Sequence, residues 1–315
     1  MIEPYSIEGL IAATYTPLDD DGELKLDAVG PMVDYLLDRG VKGLYVCGST
    51  GEGVSLTASE RRKVAEEYVR VANGRVPVVV QVGHNSLRKA HELAAHAQKI
   101  GADAVSAVCP SYFKPATASL LVDSMAEVAS GAPDLPFYYY HIPAMTGVNF
   151  DMTHVLDLAG DRIKNLCGVK FTAHTLHEYQ VCRNWDHGRF DILWGHDEML
   201  LAAVMVGCSG AVGSTYNIMA PLYRQMLAHY DQRRLDAARD CQSQAVQIIR
   251  AIGKYPFHPA AKEVLKMLGH DMGGCRLPLP RLSSDEVRKL RSDLEEIEFF
   301  QWTEIKEPLD PAPSL

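Results

Sequence analysis

The 315-residue sequence has no cluster of lysine and arginine, no apolar run long enough to cross a bilayer, no Cys-x-x-Cys pair and no glycine-rich phosphate fingerprint after its first predicted strand. Each absence excludes something. With 31 basic against 40 acidic residues the formal net charge is -9, and the electrostatic footprint of a nucleic-acid binder is missing. A membrane span would need about 20 consecutive apolar residues. Residues 1–5 lack the basic and apolar regions of a secretory signal. The seven cysteines are odd in number and scattered; Cys47, Cys109, Cys167 and Cys208 lie in or beside apolar segments, where a free thiol packs as a small hydrophobe. A soluble, cytoplasmic protein without structural disulfides is expected. No set of His, Asp, Glu and Cys has metal-ligand spacing, so no metal is expected either.

What is present is a large apolar fraction, 47%, arranged in a repeating pattern. Strands are predicted over residues 10–16, 43–46, 76–82, 104–108, 137–140, 166–171, 191–194 and 210–213. Helices are predicted between them over residues 27–39, 57–72, 87–100, 120–130, 153–158, 174–185 and 198–206, the second opened by a Thr57-x-x-Glu60 capping box. Eight alternations of strand and helix fit an α/β fold, a (β/α)8 TIM barrel, better than the open doubly wound sheet that is its alternative. After Tyr216 the alternation stops, and helices are predicted over residues 220–230, 235–253, 259–268 and 284–299. The expected organisation is a barrel over residues 1–219, a C-terminal helical extension over 220–302 and a flexible, proline-rich tail over 303–315.

Lys170 stands out. It sits in Leu166-Cys167-Gly168-Val169-Lys170-Phe171-Thr172, an apolar run that otherwise reads as a buried strand. An ammonium there loses hydration and holds its proton less tightly. A lysine that is neutral near pH 7 is a nucleophile suited to a Schiff base with a carbonyl compound. Alternation puts Gly168, Lys170 and Thr172 on one face. The competing reading is a strand-end lysine that snorkels to solvent or pairs with a carboxylate.

In a barrel of this kind chemistry belongs at the C-terminal ends of the strands, and other unusual residues fall there. Gly48-Ser49-Thr50-Gly51-Glu52 follows the second strand with two hydroxyls and free backbone amides, which suits a small carboxylate; a tight turn needing glycine is the alternative. The fifth strand ends in Tyr138-Tyr139-Tyr140-His141-Ile142-Pro143, with Tyr140 near the rim, and a phenol beside a cationic amine is suited to moving protons. Tyr138 and Tyr139 read as packing, and His141 as either a substrate contact or a hydrogen-bonded core histidine. Gly195-His196-Asp197-Glu198 offers two carboxylates to a polyol, or simply a helix N-terminus complemented by charge. Gly213-Ser214-Thr215 brings further hydroxyls to the same rim.

With these residues laid out, the sequence resembles, over nearly its whole length, the pyruvate-dependent class I aldolase family that also contains dihydrodipicolinate synthase. Gly48-Ser49-Thr50-Gly51-Glu52 is similar to the family's carboxylate-binding loop, Tyr140-x-Ile142-Pro143 to its proton-transferring tyrosine motif, and Gly168-Val169-Lys170 to its Schiff-base strand. The stretches at residues 138–147 and 210–217 are similar to animal-type members of the sialic-acid-cleaving branch. The synthase branch places an arginine after its tyrosine motif, whereas Ala144-Met145-Thr146 has no basic residue there.

The resemblance implies reversible cleavage of N-acetylneuraminate (sialic acid) to N-acetylmannosamine and pyruvate. It assigns the Schiff base to Lys170 and the proton transfer to Tyr140, without metal or other cofactor. It implies that Ser49 and Thr50 hold the carboxylate, that Thr172 orients the substrate, and that Gly195, Asp197, Glu198 and Ser214 read the polyol. It also implies a homotetramer acting on small molecules. Many family members reach into a neighbouring subunit's site with a second tyrosine after the strand-four proline. Here Tyr112 is followed by Phe113, which leaves a relay through that hydroxyl without support in the sequence. The alternatives are another pyruvate-dependent aldolase, synthase-like or acting on a different keto-sugar acid, and a non-catalytic pyruvate-binding regulatory protein.

Overall fold

Eight parallel strands close on themselves in sequence order, β1 (Gly9–Ala13), β2 (Gly43–Val46), β3 (Val78–Gln81), β4 (Ala104–Val108), β5 (Phe137–His141), β6 (Leu166–Phe171), β7 (Asp191–Trp194) and β8 (Gly210–Gly213). The computed structural model describes residues 5–160 and 162–304. Four register pairs, from Gly9 with Gly210 to Ala12 with Gly213, join β1 to β8, so the open-sheet alternative is excluded. The seam between β7 and β8 is thinner, with the single register pair of Trp194 and Ala211.

The helices on the outside are α1 (Val29–Asp38), α2 (Ala58–Ala72), α3 (Leu87–Lys99), α4 (Ala118–Ala129), the one-turn α5 (Pro143–Thr146), α6 (Met152–Ala159), α7 (Leu176–Asn184) and α8 (Leu200–Met205). Next come α9 (Tyr216–Asp231), α10 (Leu235–Ile252), α11 (Phe257–Met267) and α12 (Ser284–Glu296). The capping box forms as predicted: the Thr57 hydroxyl accepts from the Glu60 backbone, and the Glu60 carboxylate accepts from the Thr57 N–H. The expected boundary between residues 219 and 220 falls inside α9, where Met219 leaves helical dihedrals (φ -143°, ψ 35°) just before Pro221. The proline-rich tail lies, from residue 305 on, outside the described residues.

Alternation along the strands sorts side chains into two cores. Leu44, Val46, Tyr139, Val169 and Phe171 point outward and pack under the helices. Ile11, Tyr45, Val79, Tyr138, Tyr140, Leu193 and Val212 fill the barrel interior. A bulge sets the phase of β6: Phe137 pairs with Leu166 but Tyr138 with Gly168, leaving Cys167 as an extra residue. Past that insertion Val169 and Phe171 face the helices, so Lys170 faces the interior. All seven cysteines are free thiols. Among the described residues no helix is long and apolar enough to cross a membrane.

The first predicted strand is three residues too long. Thr14 and Thr16 leave the sheet, and their hydroxyls bond to the carbonyls of Tyr45 and Gly51 at 3.4 and 2.6 Å. Thr14-Tyr15-Thr16 continues the strand pattern in sequence with residues that favour extended backbone, but at the rim the chain turns to brace a loop.

Candidate active site

The C-terminal mouth of the barrel opens into a cavity of about 300 Å³. Its wall brings together every candidate residue: Lys170, Tyr140, Ser49, Thr50, Thr172, Gly195, Asp197, Glu198 and Ser214. They arrive from β2, β5, β6, β7 and β8, so the geometry depends on barrel closure and on no single segment.

Lys170 is 4% exposed. Its Nζ lies 4.0 Å from the centroids of both the Tyr45 and the Tyr140 rings. Burial lowers its pKa; the neighbouring Tyr140 and the Asp197 charge work in the opposite direction. The snorkelling alternative is thereby excluded, since the amine points inward and away from solvent. Tyr140 is buried beside it, and its hydroxyl is 3.4 Å from the Ser49 Oγ. Thr50 Oγ1 and Ser214 Oγ share a hydrogen bond of 2.6 Å, which ties the loop after β2 to the loop after β8.

The carboxylates differ in environment. Asp197 is 7% exposed, and its Oδ2 accepts from both the backbone N–H and the hydroxyl of Thr215, at 2.8 and 2.6 Å. Burial pushes its pKa up to about 7, against the two Thr215 bonds, which pull it down. The Glu198 side chain is 47% exposed and lies 4.0 Å from His196 Nδ1. Thr172 Oγ1 is buried and has no hydrogen-bond partner among the described residues.

Two aromatic neighbours sort themselves out. Tyr138 points into the barrel but toward its far end, where its hydroxyl donates to Asp191 Oδ2 at 2.6 Å. His141 is on the outer face, its ring 6.1 Å from Tyr139 and 5.1 Å from Phe171. It does not line the cavity, its Nδ1 has no partner among the described residues, and burial lowers its pKa to about 4. Both readings offered for it from the sequence give way to aromatic packing.

Several residues of the site are not evident from the sequence. Tyr45, which lies against Lys170 without lining the cavity, is one; its signal is a phenol on the inward phase of an otherwise apolar β2. The others line the wall and come from the C-terminal helices: Ile249, Gly253, Phe257 and His258. His258 donates its Nε2–H to the Ser49 carbonyl at 3.1 Å. One helical turn further along α11, Lys262 Nζ reaches Glu52 Oε1 at 2.8 Å and the Gly274 carbonyl at 2.6 Å. The remaining Glu52 oxygen accepts from the Arg276 N–H at 2.9 Å. The loop of residues 48–52 is thus gripped from outside the barrel. Tyr112 and Phe113, by contrast, are 79% and 85% exposed on the loop after β4 and do not line this cavity. Among the described residues no group of three His, Cys, Asp or Glu side chains is placed to hold a metal ion.

A buried lysine against a tyrosine at a barrel mouth, with a hydroxyl-rich loop opposite, defines a class, and the chain belongs to the dihydrodipicolinate synthetase family, whose model matches residues 6–297. Within that family it is 39% identical over 306 residues to the N-acetylneuraminate lyase of Mus musculus, covering 96% of each chain. Among solved structures, the N-acetylneuraminate lyase of Proteus mirabilis superposes with a TM-score of 0.91 at 35% identity, over 94% of this chain and 100% of that one. The sialic acid aldolase of Aliivibrio salmonicida gives the same TM-score, 0.91, at 36% identity over 94% and 98% of the two chains.

Proposed function

We propose that the protein is a Schiff-base aldolase that reversibly cleaves N-acetylneuraminate to N-acetylmannosamine and pyruvate. The observation that carries this reading is the placement of Lys170: buried, with its proton weakened by burial, against Tyr140 and in a cavity edged by hydroxyls and carboxylates. The relatives' names supply the sugar acid, and the cavity's chemistry suits it.

In the forward direction the neutral Lys170 amine attacks the keto carbon of the open-chain sugar acid. Proton uptake and loss of water leave an iminium. The hydroxyls of Ser49 and Thr50 hold the adjacent carboxylate, so that attack is effectively intramolecular. Tyr140 takes the proton from the hydroxyl on the carbon that becomes the aldehyde. The carbon–carbon bond breaks, its electron pair moves toward the iminium nitrogen to give an enamine, and N-acetylmannosamine departs. Protonation of the enamine carbon and addition of water then free pyruvate and restore the amine. Thr172, with its unpartnered hydroxyl, orients the substrate, while Gly195, Asp197, Glu198 and Ser214 line the polyol end.

A synthase-like reaction is disfavoured by α5, which supplies Ala144, Met145 and Thr146 where an arginine would hold a second carboxylate. The same reading carries a homotetramer, in which the exposed pair Tyr112 and Phe113 would be covered, and a reducing, cytoplasmic setting, which suits seven free thiols. It also treats α10–α12 as an extension that braces the site.

Borohydride reduction with pyruvate, followed by peptide mapping, tests the central assignment. A pyruvate-derived mass on the peptide containing Lys170 is expected; an unmodified Lys170 overturns the reading. A panel of acceptor aldehydes offered with pyruvate then separates the sugar lyase from other pyruvate aldolases.

A further inference from the structure

We propose that Tyr45 is a further catalytic residue, an aromatic counter-charge that stabilises the positive nitrogen of the Lys170 Schiff base without occupying it. The inference rests on the aldolase reading above and concerns how that site manages a charge it must create.

The difficulty is physical. Burial makes the Lys170 amine a nucleophile by penalising its cationic form, yet the iminium that activates the substrate is itself a cation on the same nitrogen. A carboxylate close by would stabilise the iminium, but it would also accept hydrogen bonds from the ammonium and lock it there. The carboxylate acting on Lys170 is Asp197, and its Oδ2 is already engaged by Thr215. A ring face attracts a cation through its quadrupole and donates nothing to the reacting lone pair, which stays free to attack.

Tyr45 is built to present that face. Its ring centroid is 4.0 Å from Lys170 Nζ, the same distance as that of Tyr140. Its hydroxyl is turned away from the cavity and donates to Ser106 Oγ at 3.0 Å, inside the barrel. The Tyr140 ring meets it edge-on at 5.8 Å and 77°. Gly48 lies against it so closely that a Cβ there would sit 2.8 Å from Tyr45 Cε1. The first glycine of the carboxylate loop therefore makes room for this ring. Tyr140 has proton transfer to perform; Tyr45, with its hydroxyl tied up, has only its face to offer.

In the covalent step, neutral amine, ketone and one proton give the iminium and one water, so a positive charge appears where there was none. The rings of Tyr45 from β2 and Tyr140 from β5 lie against that nitrogen, and the charges of Asp197 and His196, from the segment after β7, couple to it at longer range. Of these, Tyr45 can be varied in π density alone.

The test replaces residue 45 by Tyr45→Phe and then by mono-, di- and trifluorinated phenylalanine, which keeps the ring and drains its face. The readout is the rate of Schiff-base formation with pyruvate against pH, trapped by borohydride on Lys170. Only the neutral amine attacks, and ammonium and iminium are both cations over the same face. The half-plateau pH is therefore expected to fall stepwise with fluorination, by about one unit across the series, and the saturating yield of trapped iminium to fall with it. A half-plateau that stays fixed across the series overturns the proposal. Should the trifluorinated protein fail to fold, Tyr45→Leu supplies the endpoint lacking a π face and is expected to show the largest fall. Wild-type protein that traps no pyruvate on Lys170 overturns the aldolase reading and this one together; a wild-type adduct with a flat series removes only the role of Tyr45.

Discussion

Lys262 and Glu52, 210 residues apart in sequence, meet at 2.8 Å with each side chain 1% exposed. The ion pair is complete in its bonding: the ammonium also serves the Gly274 carbonyl, and the carboxylate also takes the Arg276 N–H. Glu52 holds a left-handed backbone conformation (φ 53°), so the pair also secures a strained corner of the loop that carries Ser49 and Thr50.

Breaking this pair from one side is costly, because a charge is left buried without a partner. Lys262→Met is expected to lose about 3–5 kcal/mol in chemical denaturation. The double variant Lys262→Met with Glu52→Gln should be milder than the single one, since the glutamine oxygen still accepts from Arg276 and no naked carboxylate remains. A double variant worse than Lys262→Met would show that the pair contributes more than its own desolvation balance.

Tyr140→Phe separates carbonyl capture from proton transfer. The variant is expected to trap pyruvate on Lys170 while turnover falls by about 100-fold or more. Equal losses in both steps would remove the proton-transfer role. Lys170→Ala should abolish both and leave the melting temperature no lower, because it deletes a buried amine.

The raised pKa of Asp197 has a definite sign for stability. Its value of about 7 exceeds the ordinary carboxylate value of 3.8, so between those limits the folded state binds the proton more tightly than the unfolded chain. This group's contribution therefore declines as pH rises through that window. Asp197→Asn keeps an oxygen for Thr215 and removes the titration. Its melting temperature relative to wild type is expected to climb from pH 4 to about pH 7 and then level off; a constant difference would refute the assignment.

The Glu198 side chain is 47% exposed, at the open side of the mouth beside His196. Glu198→Ala is expected to raise the KM for the sugar acid several-fold, about the effect of one lost ordinary hydrogen bond at a half-exposed site. An unchanged KM would favour the helix-terminus role that its position also allows.

The sequence made the barrel legible because its signals are local. Each strand and helix carries its own period, and caps such as Thr57 with Glu60 mark their own boundaries. Lys170 and Tyr140 were equally readable, since a lysine in an apolar strand and a phenol at a strand end are anomalies within a few residues. The bracing set was not. Lys262 reads as one more charge on a helix and Glu52 as one more loop acid until the chain folds back and buries both. His258 and Tyr45 escaped for the same reason: their roles are fixed by partners, Ser49 and Lys170, that no local pattern links to them. At the rim, residues 14–16 misled in the opposite direction, continuing a strand-favouring pattern past the point where the backbone turns away.

The uneven stitching of the barrel divides its labour. Lys170 and Tyr140 stand on neighbouring strands sewn by five matched positions, and β6 is sewn to β7 by four more. Asp197 and Ser214 hang from either side of the seam whose strand ladder has the single match of Trp194 with Ala211, closed at the rim by the two bonds from Thr215 to Asp197. On the proposed reading, bond-making chemistry sits on the densely paired wall and recognition on the sparsely paired one. A lineage built on this frame can exchange one sugar for another by reshaping the sparsely paired side, and the reactive nitrogen need never notice.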